Sequence, residues 1–432
     1  MKMRRLWRGA TALTLVWTLC ACAATPRPTP PPEGDPVGQP WGSIPVDPAE
    51  VAIERSFSDS LVDSLRAKFQ EARAADETSK IPYRALTLSG GGSRGAYGAG
   101  VLSGWTVHGD RPQFDVVTGI STGALMATHA FLGSDFDDGL AIYKSISNDD
   151  VFRKRGFLAT LRATAAHDTA PLRETMSSVI SEETLDLVAA EHRNGRRLFV
   201  GTTNLDANLF TIWDMGAIAA SGRPDRLRRY IDVVMASAAF PIVFPPIYIE
   251  VESEAGTYTQ MHADGGVRET VFFFDFVEEV YRAIDAAGLK MSDFKPELYL
   301  LNNNPLYVTR RKVYKPVEGK LAAVAEASIA SLMTKVTQGS VYRLWVRAMV
   351  GGANFHISYV PADFEFTTGP LTFDPGEQTE LFEIGYQQSL HGTAWATQRA
   401  PSSTDELIEL IADPASSINS YEQPSWLRRG EQ

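Results

Sequence analysis

The chain has 432 residues, 44% hydrophobic and 22% charged, a globular composition long enough for one large domain or two ordinary ones. A formal charge of −11 argues against a nucleic-acid partner and against electrostatic adhesion to anionic lipid, because both draw on clustered Lys and Arg. The two cysteines, Cys20 and Cys22, both precede the body of the chain, which can hold neither a disulfide nor a Cys-rich metal site.

In chain order, Lys2, Arg4, Arg5 and Arg8 form a basic start, and the apolar stretch from Ala10 to Leu19 is too short to span a bilayer. Leu19-Cys20-Ala21-Cys22 resembles a bacterial lipobox. The resemblance implies a signal peptide over 1–21, cleavage before Cys22 and lipidation of that thiol. Loss of the four cations moves the net charge from −11 to −15. Several acyl chains on Cys22 would anchor stably where one would be marginal. Ala23 in place of Asp after the lipidated Cys favours an outer-membrane destination in a Gram-negative cell, again by resemblance. Nine prolines between Pro26 and Pro48 favour extended conformations, and 22–48 reads as a semi-rigid stalk.

Asp47-Pro48-Ala49-Glu50 is a helix start, with Asp as cap and Pro at the first helical position. Phe57, Leu61, Leu65 and Phe69 then recur at four-residue steps, so 49–80 is expected to hold an amphipathic helix packed on the main domain. From residue 84 short apolar runs alternate with helical patterns: RALTLS, DVVTG, RLFVGTTNL, the hairpin-like NLFTIWDM, ELYLLNNN and NFHISYV. That rhythm predicts one α/β domain over 81–397, with a mostly parallel sheet between helical layers. A helical stretch of about thirty residues begins near Val317, and 398–432 reads as a polar, loosely ordered tail.

Two glycine motifs carry chemistry. Gly90, Gly91, Gly92, Ser93, Arg94 and Gly95 follow a strand and open a helix. The spacing fits a dinucleotide fingerprint, G-x-G-x-x-G, and equally an oxyanion hole in which consecutive N–H groups converge on one oxygen. Gly119-Ile120-Ser121-Thr122-Gly123 then follows the strand FDVVT and precedes the apolar helical run ALMATHAFL. This is G-x-S-x-G in the strand-turn-helix setting of a nucleophile elbow, which favours the oxyanion reading. A serine nucleophile needs a base. Seven histidines occur, of which His356 or His391 could complete a Ser…Asp…His order, but neither lies in a plausible catalytic turn. Asp264, in an Asp-Gly-Gly turn, is the stronger candidate, although such a turn alone is also an ordinary β-turn.

Taken in order, Gly90-Gly91-Gly92-Ser93-Arg94-Gly95, Gly119-Ile120-Ser121-Thr122-Gly123 and Asp264-Gly265-Gly266 resemble the three signatures of patatin-like phospholipases. ASAAFPIVFPPIYI, with Ser237, Ala239, Pro241, Phe244 and Pro245, resembles that family's segment leading back to the site. GTTNLDA resembles its central strand. The likeness covers roughly 84–395, without a match for the lid-forming region at about 134–195. It implies a three-layer α/β/α fold and a Ser121/Asp264 dyad. It further implies an oxyanion hole of Gly90, Gly91 and Gly92 supported by Arg94, with Gly119, Gly123, Gly265 and Gly266 shaping the turns.

Phe240, Ile242, Val243 and Phe244 before the Asp264 turn, and Phe272, Phe273, Phe274 and Phe276 after it, are candidates for an acyl trough or simply for core. Membrane glycerophospholipid or another acyl ester is the expected substrate. No cofactor is expected, and no H-E-x-x-H or EF-hand pattern points to a metal. An acyltransferase or thioesterase on the same scaffold, a lipid-binding lipoprotein with a vestigial site and a nucleotide-binding oxidoreductase are the competing readings.

Overall fold

The alternation of apolar runs and helical patterns becomes a ten-stranded sheet in the computed structural model, which describes residues 27–32, 40–44, 57–75, 79–156, 163–253, 256–273, 284–306 and 316–412. Strands are β1 (Ser43–Ile44), β2 (Ile81–Leu88), β3 (Val116–Gly119), β4 (Arg197–Asn204), β5 (Leu209–Asp214), β6 (Ile247–Ser253), β7 (Gly256–Asp264), β8 (Phe294–Asn302), β9 (Asn354–Tyr359) and β10 (Ala396–Gln398). Along the sheet they run β1-β5-β4-β3-β2-β8-β9-β10, and the hairpin β6-β7 joins through β7 to β4. The five middle strands, β4 to β9 in that order, are mutually parallel. The antiparallel strands lie at the edges and in the hairpin.

Parallel strands covered on both faces read as near-continuous apolar runs, and every residue of β3 and β4 is buried. Side chains nevertheless alternate between two cores. Leu86, Leu88, Val117, Leu198 and Val200 face one cluster, beside Tyr97 and Leu102 of α2 (Gly95–His108) and Met126 of α3 (Thr122–Leu132). Tyr83, Ala85, Val116 and Phe199 face the other, with Leu61 and Leu65 of α1 (Phe57–Ala74). The fold is α/β, with helices on both faces of a mixed but mostly parallel sheet, as the sequence leads one to expect.

Two segments differ from expectation. The proline-rich stretch is not free along its described parts. Arg27 pairs with Asp206 through its two terminal nitrogens, Nη1 and Nη2, Thr29 O accepts Thr259 N–H at 2.8 Å, and β1 adds to the edge of β5. Trp41 lies under Arg223 and Arg229, at 4.6 and 4.8 Å from ring centre to guanidinium. Proline removes donors without removing acceptors, so such a chain can lie along a surface that supplies the N–H groups. The expected loose tail, 398–432, contains a helix, Thr404–Ala412, whose Leu407 and Leu410 pack on the second core at helical spacing. The helix start at Asp47 lies outside the described residues, as do Phe274 and Phe276. Phe272 and Phe273 are core. Among the described residues no helix is long and apolar enough to cross a membrane.

Candidate active site

Strand β4 is the spine of the site. β3 runs parallel to it and ends at Gly119 opposite Val200. β7 comes from the other direction and ends at Asp264 opposite Thr202. Two strands thus run head-on along one edge of β4, and their ends are separated by only two residues of β4, about 7 Å. Ser121 follows the first end and Asp264 is the second, which is how residues far apart in sequence meet.

Ser121 sits at φ 54°, ψ −127°, a region costly for a non-glycine residue, on the order of 1–3 kcal/mol. The flanking glycines permit the turn. A Cβ on Gly119 would stand 2.6 Å from Gly123 O, and one on Gly123 would stand 2.3 Å from Leu88 O. The strained residue is held from below, since Ser121 N donates to Ser237 Oγ at 3.0 Å and Ser237 Oγ donates to Gly201 O at 2.7 Å. Ser237, at the end of the helix Arg226–Ser237, is thereby a rivet between elbow and spine. α3 begins immediately after Ser121 and aims its N-terminal dipole at the hydroxyl.

Asp264 is buried, and its backbone is fixed on both sides: its N–H donates to Ala239 O at 3.0 Å and its carbonyl accepts Thr203 Oγ1 at 2.9 Å. Burial pushes its carboxyl up from the usual range to about 7, against the pull of hydrogen bonds from the Ser121 hydroxyl and from Gly266 N–H at 2.7 Å. Gly265 lies on Gly201, where a Cβ would be 2.5 Å from the Gly201 carbonyl oxygen.

Of the three glycines at the end of β2, Gly90 donates its N–H to Thr270 O at 3.2 Å and is therefore not available to an oxyanion. The amides of Gly91 and Gly92 have no protein acceptor among the described residues. Gly92, at φ 61°, lies under Pro370, where a Cβ would meet the carbonyl oxygen. That same oxygen accepts Ser93 N at 2.9 Å, closing the approach a pyrophosphate would use, so the glycine spacing is not a dinucleotide site. Arg94 is the N-cap residue of α2 and makes no side-chain cap bond. Its Nη1 donates to Asn304 Oδ1 at 2.9 Å and its guanidinium lies 4.0 Å from the Phe366 ring centre. Burial, partly offset by Glu377, lowers its pKa to about 10. Arg94 thus reaches the glycine loop through Asn304, whose Nδ2 donates to Gly90 O at 2.9 Å.

An apolar cleft opens beside Ser121 and Asp264. Its walls are apolar: Leu125 from α3, Ile142, Ile146 and Val151 from the motif-free 134–195 region, Phe240 and Phe244 from the FPIVFPP segment, and Leu371 and Phe373 from the loop before the helix Pro375–Leu390. Of the candidate aromatics, those before the turn line the cavity. None of the seven histidines does. His356 stacks on Tyr299 at 4.2 Å and bonds Thr397, while His391 bonds Gln387 O. Among the described residues no group of three or more His, Cys, Asp or Glu is placed to hold a metal ion. The segment 134–195 and the loop 361–373 enter the site without a sequence signature.

Fold and site together define an α/β protein built around a nucleophile elbow with a carboxylate facing the serine. Residues 86–277 match the family model described as patatin-like phospholipase, and this segment of the chain is of the patatin-like type. It is 28% identical over 255 residues to a cGAMP-activated phospholipase of Vibrio cholerae serotype O1, covering 51% of this chain and 64% of the relative. It is 27% identical over 198 residues to one of Pseudomonas aeruginosa, covering 43% and 53%. The chain thus spans between about half and two thirds of the length of these relatives. Among solved structures it aligns with VipD from Legionella pneumophila at a TM-score of 0.32 and 14% identity, covering 74% of this chain and 69% of the other.

Proposed function

We propose that the chain is a serine acyl hydrolase that cleaves acyl esters of membrane lipids through a Ser121/Asp264 dyad. The observation that carries this reading is the convergence of Ser121 and Asp264 at the facing ends of β3 and β7, both lining one apolar cavity; burial pushes the carboxyl up to about 7, which suits a base at neutral pH. Asp264 takes the hydroxyl proton as Ser121 Oγ attacks the ester carbonyl. The oxyanion so formed is met by the free amides of Gly91 and Gly92, near the N-terminus of α3. The proton passes to the leaving alcohol, and Asp264 then activates water to release the acid from Ser121. The apolar cavity takes the acyl chain. Without an imidazole in the cavity, Asp264 serves both half-reactions alone.

The same proposal includes lipidation at Cys22 and attachment to the cell envelope, at the outer membrane. It is supported by the basic start, the short apolar stretch and the Leu19-Cys20-Ala21-Cys22 motif. Incorporation of labelled palmitate by the full chain, and its loss in Cys22→Ala, tests this part.

For the chemistry, the full chain is treated with a fluorophosphonate and, separately, with a panel of defined lipids whose products are identified by mass. A Ser121 adduct and released fatty acid are expected, and neither in Ser121→Ala. An unlabelled Ser121 with no acid released from any lipid sinks the proposal, and transfer of the acyl group to an added alcohol in preference to water would recast it as an acyltransferase. Adding cGAMP tests whether the activation named in the two relatives extends to this chain.

A further inference from the structure

The proposed reaction requires the Gly91 N–H to face Ser121, yet a peptide between two glycines has no side chain of its own to fix its plane. The other half of that plane is the Gly90 carbonyl. It accepts Asn304 Nδ2 at 2.9 Å and the Ser89 hydroxyl at 2.8 Å. Across a trans peptide the C=O and the N–H point in opposite directions. β2 lies between β8 and β3; Asn304 stands just beyond β8, and Ser121 just beyond β3. A carbonyl held toward the β8 side turns the Gly91 N–H toward the β3 side, where the serine stands.

We infer that Asn304 is a positioning residue that sets the direction of the Gly91 amide, with Arg94 acting through it. Asn304 can present either its oxygen or its nitrogen to Gly90, and Arg94 decides which. A guanidinium only donates, so the Arg94 Nη1 contact at 2.9 Å selects Oδ1 and leaves Nδ2 for the Gly90 oxygen. The neighbouring Asn303 secures the same loop. Its N–H donates to Ser89 Oγ at 2.8 Å and its Nδ2 to Ser89 O at 2.9 Å, while its Oδ1 accepts Gly98 N at 3.1 Å. With its lone pair engaged by Asn303, the Ser89 hydroxyl is free to direct its proton at the Gly90 oxygen. Arg94 at a helix start, an unfavourable place for a cation, is thereby explained by what it does to Asn304.

The inference rests on the hydrolase reading, and the test separates the two. Asn304→Asp has the same shape and keeps an oxygen for Arg94, but replaces the N–H facing Gly90 with an anionic oxygen. In the full chain it is expected to lower kcat about 100-fold, the usual effect of losing one oxyanion donor, with KM within about twofold of wild type. The rate of fluorophosphonate labelling of Ser121 falls in parallel, because the phosphonyl oxygen uses the same amides. Asn304→Ala, which removes the donor without adding charge, is expected to lower kcat similarly while leaving the pH midpoint set by Asp264 in place, and it decides the question if the Asp variant does not fold. A folded variant with kcat within about threefold of wild type, or a loss confined to KM, overturns the inference. A wild-type chain that neither turns over lipid nor is labelled at Ser121 takes the hydrolase reading down and this inference with it.

Discussion

The two flanks of β2 are built by different kinds of sequence. On the β3 side the chemistry-bearing groups announce themselves: Gly119-Ile120-Ser121-Thr122-Gly123 and Asp264-Gly265-Gly266 are short patterns in which Gly119, Gly123 and Gly265 are dictated by backbone approaches below 3 Å. On the β8 side nothing announces itself. Asn303, Asn304 and Pro370 lie outside the region 86–277 matched by the family model, yet they hold the glycine loop that faces the serine. The contrast teaches that reacting atoms need particular residues at fixed spacing, whereas their orientation can be set by any donor that the fold delivers to the right place.

The sharpest way to break the comparison is to remove the reacting groups. Ser121→Ala and Asp264→Asn are each expected to lower lipid hydrolysis by on the order of 10⁴-fold or more in a fatty-acid release assay, with circular dichroism unchanged. Substantial activity in Asp264→Asn would move the base elsewhere.

Acidity gives the next effect. Because the Asp264 carboxyl must be ionised to accept a proton and its pKa is pushed up to about 7, kcat/KM is expected to rise with pH through that value. By pH 5 it should be roughly a hundredfold below its plateau, since each unit below the pKa is about tenfold. The linkage to stability has the opposite sign. The raised pKa lets the folded state hold its proton where the unfolded chain has lost it, so this contribution is complete below the ordinary carboxylate range and is lost as pH rises through about 7. Asp264→Asn should therefore melt higher than wild type at pH 8 and close to it at pH 4, read by calorimetry. A variant less stable at pH 8 would contradict the burial of a charge.

Ser237→Ala is a smaller perturbation and bears on which flank holds the elbow. It strips the acceptor from Ser121 N and the donor from Gly201 O, and leaving buried polar groups unpaired costs about 1–3 kcal/mol. Denaturant unfolding should register that loss, and kcat should fall by about tenfold as the strained elbow relaxes. The smallest effect belongs to the histidines: His356→Ala and His391→Ala are expected to leave kcat/KM within about twofold of wild type. A large loss in either would restore a three-residue arrangement.

Much of the fold is legible in the sequence because parallel strands with both faces covered are written as apolar runs, and those at 84–89, 115–119, 197–205, 297–304 and 354–360 all become strands. The hairpin β6-β7 is less visible. Its outer residues, Glu250, Glu252, Gly256 and Thr257, are exposed and do not mark a strand, and only its last residue, Asp264, carries a motif. Gly90 cannot be told from Gly91 in sequence, because what excludes its amide is the carbonyl of Thr270, 180 residues away. Arg94 shows its oddity in sequence but not its contact. A charge at a helix start points to a function, but the partner of that charge lies just past β8, beyond reach of any local pattern.

The strap formed by Arg27 and Thr29 changes the geometry of any tether. Had Cys22 to Pro48 stood free as a polyproline rod, it would have reached about 80 Å at roughly 3.1 Å per residue. With Arg27 fastened to Asp206, five residue steps separate the clamp from Cys22, a leash of at most about 18 Å. The membrane area swept by a tethered body grows with the square of that radius, so the short leash reduces it by roughly twentyfold. Under the proposed lipidation and activity, a chain moored this way would consume the bilayer directly beneath it, and its supply of fresh ester would be set by how quickly lipids diffuse into its shadow.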